Sequence, residues 1–148
     1  MTYQTPTIKG QLFEDKTFSF PIRVYYEDTD AGGIVYYANY LKFAERARTE
    51  FLRYFGINQE DALNDTKQGF VVRNCNITYK SPAKLDDALN ITCKITELKG
   101  ASLKMEQKLY REDNVLCEIE VGLVYLSLNT MRPTKIPQEI ISLLPFIK

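Results

Sequence analysis

The sequence predicts an α+β fold in which one long α-helix packs against one face of an antiparallel β-sheet. Three observations lead to this prediction: an apolar stripe at helical spacing in the first half of the chain, alternation of apolar and polar residues in the second half, and short turns between the alternating segments. A single helix covers only one face of a sheet, so the two elements form two layers. The length of 148 residues and the 45% share of apolar residues fit one such domain.

The segment before the helix is predicted to be a strand followed by a polar loop. Residues 1–16 are polar and mixed, which predicts a loose arm or a short extra strand. Phe18 to Tyr26 is rich in aromatic and β-branched residues, as strands are. The turn-forming stretch Glu27–Gly33 (EDTDAGG) then predicts a loop that leads into the helix.

The long helix is predicted from about Tyr37 to Phe55. Apolar residues recur there at helical spacing, with a few more that widen the stripe: Tyr40, Leu41, Phe43, Ala44, Ala47, Phe51, Leu52 and Phe55. Gly56 stands where a glycine is expected just after a helix C-terminus. The wide stripe indicates a largely buried helix, and the polar residues 58–67 predict a short second helix.

Four strands are predicted after the helices. Apolar and polar residues alternate along them, over residues 71–79, 89–96, 103–109 and 115–123. In the first of these, one face carries an exception, Arg73, among the apolar residues Val71, Cys75, Ile77 and Tyr79. Turn sequences at 99–101 and 112–114 join long strands, and together they predict a meander.

The composition excludes several classes of function. The chain contains no histidine, which removes Ser-His-Asp and Cys-His nucleophile systems and His-ligated metal sites. Any hydrolytic chemistry must therefore use carboxylates, tyrosines, thiols, lysines or backbone groups. The 19 basic residues balance the 19 acidic ones, so the whole chain has no net attraction for nucleic acid, and no nucleic-acid partner is expected.

The three cysteines are an odd number without CxxC spacing, which disfavours a zinc ribbon and a disulfide framework. We expect buried, reduced thiols in a cytoplasmic protein, with Cys93 and Cys117 on the helix-facing side of their strands. Residues 1–17 lack the apolar core of a signal peptide, and no run approaches the ~18 apolar residues of a membrane-spanning helix.

The unusual segment comprises the loop and the start of the helix, residues 25–40 (YYEDTDAGGIVYYANY). It packs three carboxylates into four residues and follows them with two glycines. An EF-hand calcium loop does not fit, because it needs an oxygen ligand where Gly32 stands and a glutamate where Asn39 stands. The residues alone leave two interpretations open: acids that stabilise a helix N-terminus, and a loop whose glycines let a ligand approach the backbone.

The stretch from Arg23 to Arg53 (RVYYEDTDAGGIVYYANYLKFAERARTEFLR) closely resembles the hotdog-fold acyl-CoA thioesterases of the 4-hydroxybenzoyl-CoA thioesterase family, most of all the branch associated with the Tol–Pal system. The segment ITYKSPA at 77–83, the pair Asp86-Asp87 and the order of strands are compatible with it. The resemblance implies a curved antiparallel sheet around one long central helix, and hydrolysis of an acyl-CoA to free acid and coenzyme A. We assign residues 1–17 to an N-terminal extension and 18–148 to the hotdog domain.

The resemblance also implies site residues. It places the family's catalytic aspartate at Asp30, the second acid of Asp-Thr-Asp, and the helix N-terminus near Tyr37 and Ala38. Backbone N–H groups there can bind the thioester carbonyl, while Asp30 activates water or attacks as a nucleophile. The Tol–Pal-type pattern has histidine where this chain has Tyr37, whose side chain either positions substrate or packs. Glu45, which is spaced to pair with Arg48, is the alternative catalytic carboxylate, since a related branch uses a carboxylate on the helix.

The remaining expectations concern substrate binding and assembly. Coenzyme A carries phosphates, so basic residues near the site are candidates by type alone: Lys80, Lys84, Lys99, Lys104 and Arg132. No metal or redox cofactor is implied. Family members build their sites across a dimer interface, so a homodimer or a tetramer is expected. The alternative function is a non-catalytic hotdog protein that binds acyl-CoA or an acyl carrier protein.

Overall fold

The computed structural model describes residues 1–146 and has an α+β architecture, as predicted. The strands and helices follow in the order β1 (Gln11–Leu12), β2 (Phe18–Arg23), α1 (Asn39–Tyr54), α2 (Gln59–Thr66), β3 (Gln68–Tyr79), β4 (Ala88–Lys99), β5 (Ser102–Arg111), β6 (Asn114–Ser127), β7 (Arg132–Pro133) and α3 (Gln138–Leu143). Within this part of the chain the strands form one antiparallel sheet in the order β1-β2-β4-β5-β6-β3, and β7 pairs with β6. None of the helices described is long and apolar enough to cross a bilayer.

Helix α1 packs its apolar side against the sheet, mainly over β2 and β4. The buried side contains most of the predicted stripe: Tyr40, Phe43, Ala44, Ala47, Phe51 and Leu52. The two alanines are fully buried and let the helix approach the strands closely. The prediction was wrong for Leu41, which is 40% exposed because it lies outside the arc that faces the sheet. Gly56 has φ +84°, so it ends the helix as predicted.

Strands β4, β5 and β6 form the predicted meander. Along β4 the residues Leu89, Ile91, Cys93 and Ile95 alternate with more exposed neighbours and enter the core under α1. The turns that join the strands lie at Gly100 and at Glu112–Asp113. Cys93 and Cys117 are buried free thiols, which confirms the expectation for two of the three cysteines.

Strand β3 departs from the predicted pattern in the residues that share its faces. It pairs with β6 at the far edge of the sheet, a position on which the alternation of residues made no prediction. The register shifts between Val72 and Asn74, so Arg73 is the extra residue of a β-bulge. Because of this bulge, Val72 and not Val71 lies on the same face as Cys75. Cys75 is exposed, contrary to the expectation of a buried thiol, since β3 is an edge strand.

The remaining elements follow the predicted order with shorter bounds. The strand predicted over 18–26 ends at Arg23, and a 3₁₀ turn follows at Tyr26–Asp28. The early turn has a local cause, because the buried Asp28 carboxylate accepts a hydrogen bond from the backbone N–H of Tyr25 at 2.8 Å. The short second helix predicted over 58–67 is α2. In the polar N-terminal segment, Gln11 and Leu12 form the short extra strand β1.

Candidate active site

Asp28, the first aspartate of the Asp-Thr-Asp sequence, has a structural environment. Its side chain is buried and caps the 3₁₀ turn at Tyr25. Its carbonyl oxygen accepts hydrogen bonds from the Tyr36 backbone N–H at 3.0 Å and from Asn39 Nδ2 at 2.9 Å. Asp28 therefore connects the loop to the first residue of α1, and each of these hydrogen bonds serves the structure of the loop.

Asp30 occupies the exposed tip of a tight turn. Its backbone N–H donates to the Ile34 carbonyl at 2.9 Å, and its carbonyl oxygen accepts from the Gly33 N–H at 3.1 Å. Gly33 has φ +78°, a conformation that favours glycine. The side-chain oxygen Oδ1 accepts from the Gly32 N–H at 2.9 Å, which orients the carboxylate. Among the described residues no donor reaches Oδ2, so this oxygen faces solvent with its lone pairs free.

The N-terminus of α1 lies next to this turn. Isolated bridge pairing between Thr29 and Val35 brings the two arms of the loop together just before the helix. The helix begins at Asn39 with Ala38 as its N-cap. In the part of the chain that the structure describes, the backbone N–H groups of Tyr37 and Ala38 donate no hydrogen bond. Unpaired donors at the positive end of a helix dipole are suited to bind a carbonyl oxygen or an oxyanion.

A cleft of about 370 Å³ opens beside these amides. Its lining is largely apolar and aromatic: Ile34, Val35, Tyr37, Tyr40, Tyr79, Lys80, Ser81 and Pro82. The Tyr79 hydroxyl donates to the Tyr37 carbonyl at 2.8 Å, and the Tyr40 hydroxyl accepts from the Ala83 N–H at 3.0 Å. Burial raises the pKa of both Tyr40 and Tyr79, so these rings stay neutral near pH 7. The cleft thus offers uncharged ring surface next to free backbone donors.

The predicted basic residues fall into two groups. Lys80 lines the cleft with its Nζ 3.1 Å from Glu118 Oε1, and Lys84 forms a bridge pair with Ile34 at the Asp30 turn. The others lie toward the opposite end of the sheet: Lys99, Lys104 and Arg132. The twelve-residue strand β4 starts beside Arg23 and ends at Lys99, about 36 Å away at the usual rise per residue. Only the first group adjoins the cleft of the same chain.

Glu45 lies on the exposed side of α1 and accepts a hydrogen bond from Thr49 Oγ1 at 3.0 Å. The predicted pair with Arg48 is wrong, because Arg48 Nη1 donates to Gln107 Oε1 at 2.9 Å. Gln107 is fully buried, and its Nε2 donates to the Ala44 carbonyl at 3.0 Å. The described residues contain no group of three or more acids and cysteines placed to hold a metal ion.

Two features were missed from the sequence, one in the cleft and one in the core. Tyr79 lines the cleft and holds the Tyr37 carbonyl, and its place at the end of a predicted strand was the available signal. Gln107 continues the alternation of Leu103, Met105 and Leu109, so periodicity alone places it in the core. The contact that it makes with Arg48 joins residues far apart in the chain and leaves no local signal.

Comparison with known proteins gives a consistent picture. The sequence profile of the thioesterase-like superfamily matches residues 24–144. The acyl-CoA thioesterase YbgC of Haemophilus influenzae is 46% identical over 126 residues, which cover 85% of this chain and 93% of the relative. A probable thioesterase from Bartonella henselae has 37% identity and a TM-score of 0.76, covering 80% of this chain and 98% of that one. A 4-hydroxybenzoyl-CoA thioesterase bound to 4-hydroxybenzoyl-CoA shares the fold, with a TM-score of 0.81 at 20% identity and coverage of 86% and 98%.

Proposed function

The chain belongs to the thioesterase-like superfamily, and from this premise we propose that it is an acyl-CoA thioesterase, which hydrolyses an acyl-CoA thioester to a free acid and coenzyme A. The observation that carries the catalytic assignment is the placement of Asp30. Its exposed carboxylate, with one oxygen unengaged by the described residues, lies on the same short loop as the free amides of Tyr37 and Ala38. The loop that carries Asp30 continues through Ile34, Val35 and Tyr37, which line the apolar cleft.

In the proposed reaction the thioester carbonyl oxygen accepts hydrogen bonds from the Tyr37 and Ala38 amides. The Asp30 carboxylate either removes a proton from the attacking water or attacks the carbonyl carbon itself to give an acyl anhydride that water then cleaves. The C–S bond breaks, and the thiolate of coenzyme A takes up a proton. Because a thiolate leaves readily, no histidine is required to protonate it. A single turnover in H₂¹⁸O tests for the nucleophilic route. Attack of water on the aspartyl carbonyl of the anhydride places ¹⁸O in Asp30 and leaves an Asp30 oxygen in the product acid, whereas direct attack of water on the thioester places ¹⁸O in the product acid and none in Asp30.

The proposal assigns the contribution of Tyr37 to its backbone. The Tyr37 ring is 63% exposed and lies 4.9 Å from the Tyr36 ring, measured between centroids. The Tyr37 carbonyl accepts a hydrogen bond from the Tyr79 hydroxyl. This bond fixes the peptide group that the Tyr37 carbonyl shares with the Ala38 N–H. A tyrosine therefore serves at this position without any acid–base step through its hydroxyl.

We further propose that the protein is a homodimer joined through β3. No other strand of the described residues pairs with the outer edge of this twelve-residue strand, and unpaired edges of that length invite pairing. The β3 face on the helix side is apolar yet open, with Val72 50% and Tyr79 44% exposed. Antiparallel pairing of two β3 edges covers this face and brings the second chain to the cleft at Tyr79. The proposal includes a tetramer as a pair of such dimers.

This assembly also bears on coenzyme A. Lys80 and Lys84 are the proposed phosphate-binding residues of the same chain, whereas Lys99, Lys104 and Arg132 can reach a cleft only from another protomer. Light scattering is expected to give at least twice the 17.1 kDa of one chain. A fully active monomer would refute the shared site.

The proposal extends to cofactors and cellular context. A carboxylate, two amides and a good leaving group suffice for this hydrolysis, so no metal or redox cofactor is assigned a step. The cytoplasm is the proposed compartment, supported by an exposed free thiol at Cys75 that a reducing environment preserves. A link to the Tol–Pal envelope system rests on the resemblance of residues 23–53.

A thiol-release assay against a panel of acyl-CoAs tests the proposed function. Release of coenzyme A from at least one short, long or aromatic acyl-CoA is expected, together with stoichiometric free acid. The alternative of a non-catalytic binding protein for acyl-CoA or acyl carrier protein predicts saturable binding without thiol release. Binding of the panel at micromolar concentrations with no turnover above the uncatalysed rate would refute the hydrolase.

A further inference from the structure

The segment 82–87 lies alongside the turn that carries Asp30 and forms a short β-bridge with it. Two backbone hydrogen bonds join the two segments: Val35 N–H to Ala83 O at 2.9 Å, and Leu85 N–H to Gly33 O at 3.2 Å. The turn is itself closed by the hydrogen bond from Asp30 to Ile34. Any displacement of segment 82–87 therefore moves the carboxyl-side arm of the turn and with it the Asp30 carboxylate.

Asp87 and Arg111 hold this segment at both ends. One oxygen, Asp87 Oδ2, accepts hydrogen bonds from Arg111 Nη1 at 2.7 Å and from the Lys84 N–H at 2.8 Å. The same Arg111 nitrogen donates to the Pro82 carbonyl at 3.2 Å. The pair thus connects the last residue of β5 to the first and last residues of the segment. The side chains are only 18% and 31% exposed, so solvent screens the pair less than a fully exposed one.

The Asp87 carboxylate stays ionised near neutral pH. Burial acts to raise the pKa of Asp87, but the hydrogen bonds from the Lys84 amide and the Arg111 guanidinium lower it below its usual range. Neither side chain lines the cleft. Their influence on the site runs through the backbone of segment 82–87.

We propose that Asp87 and Arg111 are positioning residues that fix the Asp30 carboxylate for attack on the thioester. The inference rests on the proposed function for its catalytic consequence, whereas its structural premise is independent of that function. The rate depends strongly on the position of the attacking group, since a misplacement of about 1 Å lowers the rate on the order of 10²-fold. Loss of the pair is therefore expected to lower turnover more than substrate affinity.

The first test compares Asp87→Asn, Arg111→Gln and the double variant with wild type. Each single variant is expected to lower kcat per folded site by roughly 10- to 100-fold, with KM within about threefold. The kcat of the double variant is expected to be no lower than that of the less active single variant, because the two residues act as one unit. Asp15→Asn is the matched control, since the Asp15 carboxylate pairs with Lys94 at 3.5 Å on the N-terminal segment. If Asp87→Asn does not fold, Arg111→Lys serves as the test variant instead, because the lysine ammonium keeps the positive charge but not the geometry of the guanidinium.

The second test measures amide hydrogen exchange, which does not depend on activity. In Asp87→Asn or Arg111→Lys the Val35 and Leu85 amides are expected to exchange about tenfold faster or more, while Asp15→Asn leaves them unchanged. Unchanged exchange at these amides, or an unchanged kcat at equal folded fraction, would overturn the inference. Absence of hydrolysis in the wild type would refute the proposed function alone, and the exchange measurement would still decide whether the pair holds the Asp30 turn.

Discussion

The two aspartates of Asp-Thr-Asp should respond to the same substitution in opposite ways. In Asp30→Asn the amide oxygen can still accept the Gly32 N–H, so the turn keeps its hydrogen bond and the protein its stability. What disappears is the anionic oxygen that activates water or attacks the thioester. Groups in such a role contribute roughly 10²–10⁴ in rate, which corresponds to about 3–5 kcal/mol of barrier. The expected loss is therefore confined to kcat, with KM little changed.

Asp28→Asn is the control within the same loop. Asp28 is buried and its carboxylate caps the Tyr25 amide, so the substitution replaces a charge-assisted hydrogen bond by a neutral one. We expect about 1 kcal/mol less stability toward urea and a kcat within about fivefold of wild type. The two variants thus separate a loss of turnover from a loss of loop stability. If both acids acted only through their charge at the helix N-terminus, the two variants would behave alike.

The assay combines thiol release at saturating acyl-CoA with urea unfolding of both variants, so that kcat is expressed per folded site. Comparable turnover of Asp30→Asn and wild type at equal folded fraction would refute the catalytic assignment. Glu45→Gln would then be the next variant, because Glu45 is the carboxylate that the sequence offered as an alternative. Equal rate losses in the Asp28 and Asp30 variants would also contradict the argument.

Three further predictions address other parts of the molecule. Tyr37→Phe should leave kcat within about threefold of wild type, because the backbone amide and not the hydroxyl contributes; a loss of about 10² would assign the hydroxyl a chemical step. Gln107→Leu should lower the free energy of unfolding by about 1–3 kcal/mol, since Arg48 loses its acceptor, and an unchanged urea midpoint would contradict this. Burial raises the pKa of Cys93 and of Cys117 to about 12, so at pH 8 only about one in 10⁴ of these thiols is ionised; both should resist thiol reagents until urea unfolds the chain, and rapid modification of either in the native protein would refute the burial.

Much of the fold could be predicted because its signals are local. The stripe from Tyr40 to Phe51 and the alternation along β4 each depend on residues within a few positions of one another. Gly56 and the turns at 99–101 and 112–114 depend on the conformations that single residues allow. The loop sequence at 25–40 indicated where a ligand could approach, although its residues alone left a purely structural role open.

The errors share a different origin. A bulge at Arg73 puts Val72 in place of Val71 on one face of β3. The charged Arg73 interrupted the apolar face in the sequence, but this exception alone did not distinguish a bulge from a polar residue within a regular strand. Cys75 alternates like a core residue but is exposed, because burial of an edge strand depends on what lies beside it. The Glu45–Arg48 pair was plausible by spacing, yet the buried Gln107 competes for Arg48 from across the core.

By itself the sequence determined the helix, the meander, the absence of histidine chemistry and the position of the acidic loop, since each follows from periodicity, composition or turn residues. Tertiary structure alone decided that β3 crosses to the far edge, that Asp28 is buried while Asp30 is exposed, and that Asp87 and Arg111 hold the segment beside the Asp30 turn. The physical reason is distance along the chain. Periodicity reports which side of an element is apolar, whereas pairing, burial at edges and ion pairs depend on residues that only folding brings into contact.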